Sequence, residues 1–111
     1  MGTCGGIGIT PGTVCFTESV LTETLSEDFP FVECGKLTPM PMKLDQNLRE
    51  ELIEIATSNR MELISCKTLG TNDFYLGQGR LDGAFCNYGE DERFEFLQTL
   101  HRKGVRNMVM F

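Results

Sequence analysis

This sequence predicts an α/β fold, and three observations carry that prediction. Two segments have helical periodicity: one after Asp45, and one from about Glu90 to Lys103. Short β-prone runs lie before, between and after them, at 13–17, 61–68 and 105–111. Strand, helix and strand in alternation are the pattern of a sheet covered by helices.

The elements follow in order. Residues 1–12 are rich in glycine and end in Thr10-Pro11-Gly12, a turn sequence. Thr13 to Thr17 reads as a short strand, residues 18–35 have no convincing period, and Lys36 to Met42 reads as a connecting loop. Leu48, Leu52, Ile55 and Ala56 then form one helical stripe, with Asp45 as N-cap and Asn59 near the stop. Met61 to Thr68 reads as a second strand leading to a Gly70-Thr71-Asn72 turn. After an aperiodic stretch, 81–88, a second helix turns Phe94, Leu97 and Leu100 one way, and Gly104 stands where a C′ glycine belongs. Val105 to Phe111 is an apolar strand.

The totals exclude several function classes. A chain of 111 residues holds one domain at most. Its net charge of −6 argues against a nonspecific nucleic-acid or anionic-membrane surface, both of which need excess Lys and Arg. The cysteines, Cys4, Cys15, Cys34, Cys66 and Cys86, are odd in number and contain no C-x-x-C, so free thiols fit better than a disulfide framework or a zinc site. No apolar run approaches the roughly 20 residues that span a bilayer. No signal peptide is apparent, and Gly6 stands where a myristoylation sequence wants Ser or Thr. The expected setting is cytoplasmic. His101 is the single histidine and has no accompanying catalytic constellation, so a structural role is expected.

Two segments carry chemistry. In Asp73-Phe74-Tyr75-Leu76-Gly77-Gln78-Gly79-Arg80, an extended backbone would send Gln78 and Arg80 out of the same face. Gly77 and Gly79 would leave room for a flat ligand, and Phe74 would offer it an apolar face. An amide beside a guanidinium suits a ring edge that reads acceptor, N–H donor, acceptor, and uracil presents one. The second segment, Gly2-Thr3-Cys4-Gly5-Gly6, supplies backbone N–H groups and a hydroxyl, the ingredients of an anion nest. It is neither a Walker loop nor a dinucleotide fingerprint.

Taken together, three stretches resemble a known family. Gly2 to Val14 resembles the phosphate loop of uridine phosphorylases, in the nucleoside phosphorylase superfamily; Asp73 to Ala84 resembles their uracil-binding segment; and Gly104 to Met110 resembles the strand ending at the ribose site. Order and spacing suit the animal-type enzymes. The resemblance implies phosphorolysis of uridine to uracil and ribose 1-phosphate, in pyrimidine nucleoside catabolism and salvage. It implies no cofactor, with inorganic phosphate as co-substrate, no metal, and a homo-oligomer for the complete protein. It implies that Gly2 and Thr3 bind phosphate, and that Cys4 and Gly5 line the nucleoside site. Phe74 would pack on the base, Gln78, Gly79 and Arg80 would hold its edge, and Met110 would back the sugar. Arg80 and Thr3 would be the catalytic pair.

The same resemblance implies departures. The family carries a phosphate-binding arginine two residues before the glycine matching Gly2, and a ribose-binding glutamate where this chain has Phe111. The expectation is a partial nucleoside-phosphorylase-type mixed sheet flanked by helices over 1–111 that lacks N-terminal and C-terminal strands, marginally folded and inactive by itself. The alternative expectation is a non-catalytic truncated isoform or pseudogene product that at most joins full-length subunits. A purine-type phosphorylase fits Gln78 and Arg80 poorly.

Overall fold

A computed structural model of the chain describes residues 1–110. Its elements are β1 (Gly5–Gly6), β2 (Val14–Leu21), β3 (Asp28–Glu33), β4 (Lys36–Pro41), α1 (Gln46–Ser58), β5 (Leu63–Thr71), α2 (Glu90–Arg102) and β6 (Val105–Met110). The main sheet has the order β1-β6-β5-β2. The strands β2, β5 and β6 run parallel, and the short β1 lies antiparallel to β6 at the edge, with Gly5 opposite Met108. A mixed α/β sheet is therefore present: the alternating pattern predicts the α/β class, and the resemblance implies the mixed sheet. No helix is long and apolar enough to cross a membrane among the described residues.

Both helices start and stop for local reasons. Asp45 accepts a hydrogen bond from the Leu48 N–H at 3.0 Å and opens α1, while Asn59 closes it. At α2 the Gly89 N–H donates to the Glu92 carboxylate at 3.0 Å, and acidic side chains fill the first turn, opposite the positive end of the helix dipole. Gly104, at φ +86°, ends α2 in the left-handed conformation expected of a C′ glycine. Further upstream, Thr13 donates through both its N–H (3.2 Å) and its hydroxyl (2.7 Å) to the Thr10 carbonyl, fixing the Pro11-Gly12 turn.

The core is small. Ile7, Leu21, Leu69, Leu100 and Val105 are buried together, with Phe96, Leu97 and Met108 packed on them, so α2 covers one face of β5 and β6. His101 has a structural place here: a Cβ at Gly8 would lie 2.7 Å from its Cδ2, so the ring rests against that glycine. Cys66 is buried on β5, and the Asn107 amide donates to its sulfur at 3.5 Å. Burial pushes this thiol up to about 11, with neighbouring Cys15 adding to the effect.

Three expectations need correcting. Residues 36–42 are not a loop: Lys36–Pro41 forms β4, hairpin partner of β3, with Phe31 opposite Thr38. The hairpin turn is Cys34-Gly35, both at positive φ (+50° and +77°), which matches the twist of the flanking strands. Alternating prolines and apolar residues hid this pair, since proline argues against a strand except at an edge or outside the ladder. Next, the 13–17 strand extends to Leu21, and the strand expected to end at Thr68 continues through Gly70 and Thr71, so the chain turns only from Asn72. The stripe on α1 has the predicted helical period but does not face a core. Leu48, Leu52 and Ile55 are exposed, and Ala56 alone is buried. Finally, Gly2, Gly5 and Gly6 do not take positive φ, and the segment runs extended into β1 instead of curling into a nest.

The radius of gyration, 15.7 Å, exceeds the roughly 13 Å of a compact domain of this length. Large apolar side chains on β3, β4 and α1, including Phe31, Val32, Leu37 and Met40, are exposed. The described residues thus form an open slab with uncovered apolar faces.

Candidate nucleoside-binding site

The 73–80 segment is a capped turn, not an extended strand. One Asp73 carboxylate oxygen accepts from the N–H groups of Tyr75 (2.7 Å), Leu76 and Gly77 (3.4 Å). The Gly79 N–H donates to the Leu76 carbonyl at 3.1 Å, and the Arg80 N–H to the Tyr75 carbonyl at 2.9 Å. Tyr88 ties the far side down: its hydroxyl donates to the Arg80 carbonyl at 2.7 Å. Burial, with Cys86 and Asp73 nearby, raises the Tyr88 phenol above its ordinary value.

The glycines of this turn serve packing, which corrects the expectation that they make room for a ligand. Gly79 is buried at φ +66°, and a Cβ there would lie 3.1 Å from the Phe96 ring. A Cβ on Gly77 would lie 2.5 Å from a Glu23 carboxylate oxygen and 3.0 Å from the Thr71 Cβ. That Glu23 carboxylate is held in turn by the Asn72 N–H at 2.6 Å.

Even so, Gln78 and Arg80 reach one cleft of about 510 Å³, a volume in the range of small-molecule sites. Three distant stretches line it: Thr3, Cys4 and Gly5 from the N-terminal segment; Phe74, Gln78 and Arg80 from the turn; Met108, Val109 and Met110 from the end of β6. Seven of the nine were expected from the sequence. Of the expected residues, Gly2 and Gly79 lie outside the lining, Gly2 exposed and Gly79 turned toward Phe96. Phe111, where the resemblance places a ribose-binding position, lies outside the described residues. Met108 was missed although the signal was present, because residues two apart on a strand share a face and Met110 was already assigned.

A second cleft, about 620 Å³, lies behind the turn, between Glu23, Leu76, Tyr88 and Phe96. It is the larger, but Glu23, Asp73 and Glu92 on its wall are already committed to backbone N–H groups. The chemistry favours the first.

Arg80 dominates the electrostatics of that cleft. Its guanidinium carbon sits 3.8 Å from the centroid of the Phe74 ring, a cation–π contact. Its Nε is buried without a protein partner. Among the described residues the ion pairs are Arg49–Glu18 and Lys67–Glu27, so no carboxylate neutralises Arg80. The contact also amends the role expected of Phe74. One ring face is taken by the guanidinium, and Tyr75 packs edge-on at 5.4 Å, so a base cannot use that face while Arg80 holds it. Gln78 is 5% exposed, and its Nε2 donates to the Thr71 hydroxyl at 3.3 Å. No cluster of His, Cys, Asp and Glu suited to a metal ion occurs among the described residues.

Comparison with known proteins bears on this geometry. No family model matches the sequence. The chain is 39% identical over 110 residues to the uridine and thymidine phosphorylase of Caenorhabditis elegans, an alignment covering 99% of this chain and 37% of that protein. It is 39% identical over 111 residues to uridine phosphorylase 1 of Mus musculus, covering 99% and 36%. The crystal structure of Schistosoma mansoni uridine phosphorylase in complex with uracil superposes with a TM-score of 0.89 at 32% identity, covering 97% of this chain and 38% of that one.

Along its length the chain is homologous to part of the uridine phosphorylases.

Sequence and fold agree on this uridine phosphorylase relationship, and they agree along the same stretch. The chain spans little more than a third of the length of the curated uridine phosphorylases it matches. Within that third, the three segments that carry the resemblance converge on one cleft.

Proposed function

We propose that this chain carries the base-recognition part of a uridine phosphorylase site, and that the reaction served is phosphorolysis of uridine. In that reaction phosphate oxygen bonds to the sugar's anomeric carbon as the glycosidic bond breaks. The electron pair of the broken bond leaves with uracil, which then takes a proton. Negative charge therefore grows on the base, and Arg80, the cleft's uncompensated cation, stabilises it more in the transition state than in the ground state. Gln78 reads the base edge beside it. Thr3 attends phosphate and also lies near the ribose, Cys4 and Gly5 line the nucleoside wall, and Met110 with Met108 backs the sugar. The reaction uses inorganic phosphate and no cofactor. Its setting is cytoplasmic, within a homo-oligomer, in pyrimidine nucleoside catabolism and salvage.

The observation that carries this reading is the convergence of Thr3–Gly5, Phe74–Arg80 and Met108–Met110 on one cleft around an unpaired guanidinium. The phosphate end is weaker: residues 1–6 are exposed, and among the described residues Arg80 is the one guanidinium lining the cleft. The 111-residue polypeptide is therefore proposed to bind the base and to turn uridine over slowly or not at all. Uracil, uridine and inosine are titrated into the ¹⁵N-labelled chain, and uridine is incubated with it in phosphate buffer. Shifts at Gln78 and Arg80 with uracil and uridine, absent with inosine, are expected. A folded chain whose spectrum ignores uracil would refute the base-recognition reading. Rapid release of uracil would refute the claim of low activity.

A further inference from the structure

The orientation of the Gln78 amide decides which bases it accepts, and the structure points to the residue that fixes it. Thr71, the last residue of β5, is fully buried, and its hydroxyl oxygen lies 2.8 Å from the Asp73 carbonyl and 3.3 Å from the Val109 carbonyl. Both carbonyls can only accept, so the single hydroxyl proton of Thr71 is committed to one of them. What remains on Thr71 is a lone pair, which can bind only a donor. Gln78 reaches that oxygen at 3.3 Å, so it must present its NH₂ group there. The carbonyl Oε1 is then the free end of the amide, without a protein hydrogen bond among the described residues.

We infer that Thr71 is a positioning residue that sets base specificity: it locks the Gln78 amide with Oε1 as the group offered to the cleft. This rests on the base-recognition reading above and sharpens it. Uracil and thymine carry an N–H at ring position 3, which an amide oxygen accepts. Neutral cytosine carries a lone pair there, and an amide oxygen repels it. A freely rotating glutamine would flip and serve both bases, because its two ends are nearly isosteric. A glutamine anchored through Thr71 cannot flip without burying an unpaired carbonyl against the lone pair of the threonine. Anchor and ligand side are thus two ends of one chain of hydrogen bonds: backbone carbonyl, Thr71 hydroxyl, Gln78 NH₂, Gln78 Oε1, base N–H.

The test compares uracil and cytosine affinities, by NMR titration, for the wild-type chain, Thr71→Val and Thr71→Ser. The wild type is expected to favour uracil. Thr71→Val, similar in volume but without the hydroxyl, is expected to narrow the uracil-to-cytosine ratio by about tenfold, the worth of one hydrogen bond. Thr71→Ser restores the hydroxyl and is expected to restore the ratio. A Val variant that keeps the wild-type ratio, or a Ser variant that loses it, overturns the role of Thr71 and leaves base recognition standing. A wild-type chain silent to both bases overturns the site reading, and the Thr71 role with it. Should Thr71→Val fail to fold, the wild-type Gln78 side chain decides. An Nε2 proton protected from exchange with solvent supports the anchor; Nε2 protons that both exchange as fast as those of an exposed glutamine overturn it.

Discussion

Replacing Gly79 by alanine tests whether the turn that carries Gln78 and Arg80 is built as described. Two costs add. The residue sits at φ +66°, where an L side chain costs about 1–2 kcal/mol. The added Cβ would also stand 3.1 Å and 3.4 Å from two carbons of the Phe96 ring. Phe96 packs on the buried cluster and cannot swing freely aside, so overpacking adds roughly 1–3 kcal/mol. The sum, about 2–5 kcal/mol, is large beside the 5–15 kcal/mol of an ordinary domain, and this core is small. Gly35→Ala separates the two costs. It has φ +77° but nothing within 4 Å of the new Cβ, so only the backbone cost of about 1–2 kcal/mol applies. Urea denaturation of both variants, followed by uracil titration of whatever remains folded, gives the answer. Gly79→Ala is expected to lose more stability than Gly35→Ala and to weaken uracil binding, whereas Gly35→Ala leaves binding unchanged. Equal losses with intact binding would refute the packing of Gly79 on Phe96.

Two further outcomes follow from named groups. Arg80→Lys keeps a charge but loses the planar fork and its stacking on Phe74, so uracil affinity should fall by about 10- to 100-fold, measured by the same titration; an unchanged affinity would show that only the charge matters. The buried Cys66 thiol, raised from 9.0 to about 11, holds its proton in the folded chain over a range where the unfolded chain has lost it. Stability is therefore full below about pH 9 and declines as pH rises toward about 11. Urea unfolding of wild type and Cys66→Val across that window should show the wild type alone carrying this component; parallel curves would contradict it.

The fold was legible where the cause is local and obscure where it is not. Asp45, Asn59, Gly104 and the Thr10-Pro11-Gly12 turn act within a few residues, and each stands where its chemistry predicts. The β3–β4 hairpin was hidden because Pro30 and Pro39 argue against strands, yet they face each other in a two-stranded ribbon that has no inner strand to satisfy. The stripe on α1 gives the helix its period but has no core behind it. Periodicity says which face of a helix favours burial; it cannot say that this chain supplies the cover. Leu48, Leu52 and Ile55 remain exposed here for that reason.

The site was legible to a greater depth than the fold, and for a different reason. Spacing suggests an extended segment with Gln78 and Arg80 on one face, whereas Asp73 bends the segment into a turn. They reach the same cleft regardless, because what the residue types announce is the chemistry they can do, and the fold had only to bring them together. Thr71 was invisible for the complementary reason. A threonine before a turn announces nothing; its role depends on two carbonyls, Asp73 and Val109, of which the second is contributed by β6. Groups that touch a ligand carry the functional group the ligand requires, so sequence can name them. Groups that orient them need only a spare donor or acceptor in the right place, which many residue types provide, so their identity emerges only when the hydrogen bonds are counted to closure.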